Sequence, residues 1–247
     1  MRLKSVLKYN ISETIRSMLV FYGVMVAVLV FFVVSMGVVM IKSDGVSFAG
    51  GAEMASAIFL FVLGLNSFKQ NYLFLSSNGI TRKAQFYGFL ISSLPVVAVM
   101  GAIDTAYGNI LGEFINYNAM FSQMYNGFVL DTPKPFILLI GFVWSAALYL
   151  FAITLGYFIT TLYYRMSKLL KIIISVGVPM LFFTVLPGID SVVTGGKIYG
   201  WMGELFISLA GLKNGSNPFV AVISLLIASA ILAGLAFLLV RKAPVKE

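Results

Sequence analysis

Cysteine and histidine are both absent from the 247 residues, and acidic residues number only 9. Without thiols there is no disulfide, no thiolate nucleophile and no cysteine metal cage, and without imidazole the commonest general base and metal ligand is missing. Charge is scarce as well, at 11% of residues against 60% hydrophobic, with a mean hydropathy of +0.98. Soluble domains carry an apolar share nearer one half, so the composition describes an integral membrane protein. A chain of this length accommodates about six spans of roughly 20 residues and their connections, which leaves no room for a separate soluble domain. Residues 1–247 are therefore read as one all-α polytopic transmembrane domain. The net charge of +8 does not imply nucleic acid, because the basic residues stand at the ends of apolar runs rather than on one amphipathic surface.

Six apolar runs predict spans over about 17–41, 51–68, 83–106, 136–162, 172–189 and 218–240. Before the first, Leu3, Leu7, Ile11 and Ile15 recur every fourth position while Arg2, Lys4, Lys8 and Arg16 lie elsewhere around the helix. That pattern predicts an N-terminal interfacial helix, with Asn10 and Glu13 shaped like a capping box at which the chain turns into the bilayer. Between spans two and three lies a polar island, Asn66 to Phe86, in which Phe68, Tyr72, Phe74 and Leu75 share one side of a short helix and Lys69, Gln70 and Asn71 the other. Asn78 and Gly79 end that helix and Thr81 caps the next. Residues 198–212 place Trp201, Leu205, Phe206 and Leu209 at helical spacing, which predicts short re-entrant or surface helices between spans five and six.

With both termini cytoplasmic, 13 of the 17 basic residues fall on the inner side, leaving Lys42, Lys134, Lys197 and Lys213 outside. Insertion rules favour that bias. Glu53, Asp104 and Asp190 are the acids inside or beside spans; drawn near the outer span ends, they read as a water-accessible outer rim, with no acid near a midplane. Gly195-Gly196-Lys197 lacks the Ser or Thr and the upstream Gly of a phosphate-binding loop, and neither HExxH nor GxSxG occurs. The chain is expected to be no enzyme, to bind no metal or cofactor itself, and to hydrolyse no ATP.

The basic amphipathic start, six spans, a cytoplasmic helix between spans two and three, and SSNGITRKAQF at residues 76–86 together resemble ABC-2-type transporter permeases across essentially the whole chain. Within that family it is similar to the half-size subunits of bacterial exporters of cytolytic amphipathic peptides, the phenol-soluble modulins, and of self-protection systems against antimicrobial peptides. The resemblance implies a multi-pass protein of the bacterial plasma membrane, a second permease copy (the chain itself), and two copies of a cytoplasmic ABC ATPase that carry the ATP and Mg. It implies a peptide cargo and export. It also implies that Phe68, Lys69, Asn71, Tyr72, Phe74, Arg82 and Lys83 couple to the ATPase, and that Leu3, Leu7, Lys8 and Ile11 belong to the interface helix. A non-pumping immunity or sensor protein and a secondary carrier are the alternatives, the carrier requiring a midplane charge.

Overall fold

The computed structural model describes residues 2–41, 48–115, 117–213 and 216–241, with backbone alone at 2–3, 32–33, 35–41, 48–49, 70 and 114–115. Lys42, Asp44, Lys242 and Lys246 lie outside the described residues, and the side chains of Leu3 and Gln70 lie outside the described side chains. Of the described residues 88% are helical, and among them six helical segments are long and apolar enough to cross a membrane. In chain order the elements are α1 (Arg2–Ile41), β1 (Phe48–Ala49), α2 (Ala52–Asn66), α3 (Lys69–Ser77), α4 (Arg82–Ile115) and β2 (Tyr117–Asn118). Then come α5 (Met120–Met124), α6 (Asn126–Leu130), α7 (Lys134–Arg165), α8 (Lys168–Met180), a π-helical turn over Leu181–Val185, α9 (Leu186–Val193), α10 (Lys197–Leu209) and α11 (Pro218–Arg241). The two strands form a short parallel pair, Phe48 opposite Tyr117 and Ala49 opposite Asn118.

Five helices, α1, α2, α4, α7 and α11, make the packed body. The closest pair is α2 with α7, and two glycines set it: a Cβ on Gly64 would strike the carbonyl of Ile153, and one on Gly156 would strike that of Phe61. Lipid offers no hydrophobic drive between spans, so association depends on such close backbone contact and on interhelical hydrogen bonds. One such bond runs from Thr160 Oγ1 to the carbonyl of Leu65, at 2.5 Å. The core between the helices is aromatic: Phe89 stacks on Tyr157 with ring centroids 3.9 Å apart, and Phe68 meets Tyr157 and Tyr164 edge-on.

The N-terminal segment differs from expectation. Instead of an interfacial helix that breaks at Asn10, α1 continues unbroken for 40 residues, about 60 Å at 1.5 Å per residue. No glycine or proline interrupts it before Gly23, and its inward face is Val6 and Asn10 rather than the Leu7 and Ile11 stripe, because Gly88 of α4 leaves room for Val6. Similarly, α4 passes through Pro95 and runs past residue 106 to Ile115, absorbing what reads as the start of an outer connection.

The segment α8–α10 stands apart from that body. None of its apolar side chains is buried, Phe183 at 83% and Val192 at 85% exposed among them, and its contacts are chiefly internal, with a light touch of α10 on α11. Pro179 removes a backbone donor inside α8, and the helix responds by widening into the π turn that follows.

Candidate functional site

Two regions concentrate the polar chemistry, one at each end of the bundle. At the first end α3 is seated between α1, α4 and α7. Its buried side is Phe68, Tyr72 and Leu75, and Phe68 and Tyr72 stack on one another and meet Tyr164 at the end of α7. Asn71 donates to Glu13 of α1 at 3.3 Å, and Phe74, half exposed, stacks on Tyr9. The turn after α3 follows local chemistry: Gly79 adopts φ +69°, and Thr81 Oγ1 accepts from the Ala84 N–H at 3.4 Å, capping α4. Arg82 donates to the carbonyl of Arg241, which brings the far end of α11 to the same place. Lys8, Lys69, Arg82, Lys83, Arg165 and Arg241 thus gather, exposed, at one end of the molecule.

This arrangement corrects part of the sequence reading. Phe68 and Tyr72 are 3% and 2% exposed, so their rings anchor α3 to the bundle and are not offered to a partner. The side left outward is Lys69, Phe74, Ser77 and Asn78, continued by Arg82 and Lys83. A groove of about 670 Å³ flanks it, lined by Lys69, Leu73, Tyr163, Tyr164 and Lys171 among others. Of the interface-helix residues, Lys8 is exposed and Leu7 and Ile11 are half-buried. A second, smaller cleft of about 190 Å³ opens where α1 meets α2 and α4; Asn10, Glu13, Asn71, Ser92 and Ser93 give it a polar lining inside an otherwise apolar bundle.

Toward the other end, three helices meet on one carboxylate. Asp104 of α4 accepts from Tyr22 of α1 at 2.9 Å and from Tyr149 of α7. Ser56 of α2 lies against the same group, though its hydroxyl has no partner of hydrogen-bond geometry. Asp104 is 2% exposed, and both tyrosines sit close to the midpoints of their helices. The carboxylate therefore belongs to the interior of the bundle rather than to a wet rim. Glu53, in the first turn of α2, is 4% exposed because α5 and β2 fold over it; its Oε1 accepts the Met120 N–H at 3.1 Å. Burial, with the charge of Glu53 beside it, pushes the Tyr117 hydroxyl up to about 12.

Asp190 is enclosed for a different reason. Its carboxylate accepts the backbone N–H groups of Ile198 (3.1 Å) and Tyr199 (2.9 Å) as well as the Thr194 hydroxyl. It satisfies the otherwise orphaned donors at the start of α10, so it is a helix cap and not part of the central acid site. Sequence reasoning missed the roles of Tyr22, Ser56 and Tyr149. Their only signal was a hydroxyl within an apolar span, which many lipid-facing residues share.

No family model, curated protein or solved structure matches this chain.

Proposed function

We propose that the chain is the membrane permease subunit of an ATP-driven exporter, with α3 and the start of α4 as the docking surface for a separate cytoplasmic ATPase. The supporting observation is the seating of α3. A nine-residue helix is bolted by aromatic rings to α7 and by a hydrogen bond to α1, while its other side presents Lys69, Phe74 and the nearby Arg82 and Lys83 outward. A push on that outward side is carried into α2, α4 and α7 together, since all three are joined at the same point. The basic character of this end is that of a cytoplasmic face. Amphipathic peptide is the proposed cargo, on the resemblance alone, and the polar cleft between α1 and α2 is a place where its polar groups can lodge.

One observation favours a second reading, an ion-coupled secondary carrier: Asp104, buried and held by two tyrosine hydroxyls with no ion pair, is the interior acid that such a carrier needs.

The docking surface is tested by charge reversal of Lys69→Glu with Lys83→Glu. The double variant is expected to insert and fold normally and to lose at least ten-fold in co-purified ATPase and in peptide export. Unchanged ATPase recovery with unchanged export would remove α3 from the coupling role.

A further inference from the structure

The cleft of about 190 Å³ where α1 meets α2 and α4 is one-sided in its hydrogen bonding. A hydroxyl owns one hydrogen, and each serine lining this cleft has spent it on a helix carbonyl: Ser17 on Glu13, Ser67 on Leu63, Ser92 on Phe89 and Ser93 on Leu90. Those oxygens have only lone pairs left. Asn66 and Asn71 donate as well, to the carbonyl of Val62 and to the Glu13 carboxylate. Asn10, 8% exposed, lines the same cleft, and its Oδ1 is buried with no partner. Acceptors are therefore in excess, and a ligand that matches the lining brings hydrogen-bond donors.

Charge narrows the class. Glu13 is the one charged residue among the described lining residues; Lys8 and Arg16 flank it on α1, exposed, and neither lines the cleft. Glu13 is held by Asn71, and the only ion pair among the described residues is Lys213 with Glu204, elsewhere. The matching occupant is a cation with hydrogens to donate. The remaining wall is apolar, formed by Phe59, Val62, Leu63, Val96 and Ile153 with Phe89. Aromatic rings attract a cation, and aliphatic walls take a hydrocarbon stem. A bare metal ion leaves those walls unfilled, and water fills the space without answering the carboxylate. An apolar cavity of about 150 Å³ takes a benzene ring, so this cleft holds an ammonium on a stem of roughly four carbons.

We propose that this cleft is a binding site for a primary alkylammonium group, with Glu13 as its counter-charge, the hydroxyl oxygens around it as acceptors, and the apolar wall against its stem. A lysine side chain ends in that group. As part of an amphipathic peptide it deepens the cargo reading above and rests on it to that extent; for a free alkylamine the site stands alone.

Thermal melting of the full-length protein in detergent, at neutral pH and constant ionic strength, tests it with n-butylammonium as probe. At ten times its Kd this ion is expected to raise the midpoint by about 3–6 °C. n-Butanol, which lacks the charge, choline, which lacks an N–H, and potassium should each raise it by less than about 1 °C. Glu13→Gln leaves an oxygen for Asn71 and should weaken butylammonium binding about ten-fold, whereas Glu113→Gln, exposed near the far end of α4, should bind as wild type. Ser93→Ala removes a buried acceptor and should weaken binding about three-fold, which gives a second check. Saturation-transfer NMR of the bound probe separates the two sources. Displacement by an amphipathic leucine–lysine peptide, but not by its Nε-acetylated form, assigns the site to a lysine side chain. Binding of butylammonium that the peptide does not displace assigns it to free alkylamines and leaves the ATPase reading to its own co-purification test. No rise with butylammonium, an equal rise with butanol, choline or potassium, or undiminished binding in Glu13→Gln would overturn the proposal.

Discussion

The body of α1, α2, α4, α7 and α11 and the arm of α8–α10 are both strongly apolar, yet they are held by different means. In the body, backbones touch at Gly64 and Gly156, aromatic rings interlock around Tyr157, and Asp104 ties α1 and α7 to α4. In the arm no apolar side chain is buried, and order comes from local hydrogen bonds: Asp190 to the start of α10, and Tyr199 to the carbonyl of Phe182. High hydropathy therefore places a helix in the membrane without binding it to its neighbours. What separates the two regions is where small residues and hydroxyls stand.

Glycine substitution is the sharpest way to break the comparison. Gly156→Leu drives a side chain into the carbonyl of Phe61 and should cost about 3 kcal/mol or more, seen as loss of monodisperse folded protein. Gly200→Leu, in α10, meets nothing within 4 Å and should leave the melting midpoint within about 1 °C of wild type. Equal tolerance at both positions would contradict the close α2–α7 contact. A smaller effect follows from Tyr149→Phe, which takes a donor from a buried carboxylate and should destabilise the body by about 1–3 kcal/mol by denaturant titration. Smallest is Asp190→Ala. Loss of the cap should cost about 1 kcal/mol and speed hydrogen exchange in α10 while leaving α2 and α7 unchanged.

The helices, their number and the basic bias of one end were legible because a membrane forces long apolar runs and sorts lysine and arginine. The turn at Asn78 and Gly79 and the cap at Thr81 were legible because they depend on residues within a few positions of each other. Asp104 was not. It lies 82 residues from Tyr22 and 45 from Tyr149 along the chain, and ending the third span at 106 placed it at a rim, whereas α4 continues to Ile115 and so moves it inward. Phe68, Tyr72 and Leu75 share the buried side of α3, but Phe74, expected with them, turns outward; nor does an amphipathic pattern say whether its apolar side meets the protein's own helices or a partner, which Tyr157 and Tyr164 decide. The glycines raise the same difficulty. The GxxxG spacings at Gly108–Gly112 and Gly196–Gly200 are visible in the sequence, while the pair that brings two helices together, Gly64 and Gly156, sits on different spans and shares no local motif.

The central claim, a permease worked by a separate ATPase, is tested most directly by purifying the tagged full-length protein from its native membranes in mild detergent. Mass spectrometry then identifies co-purifying P-loop ATPases, and their hydrolysis is measured with and without amphipathic peptide. The account predicts an ATPase in stoichiometric amount whose rate rises with peptide. Intact, folded protein that brings down no ATPase would contradict it and leave the ion-coupled carrier as the better reading of the buried acids.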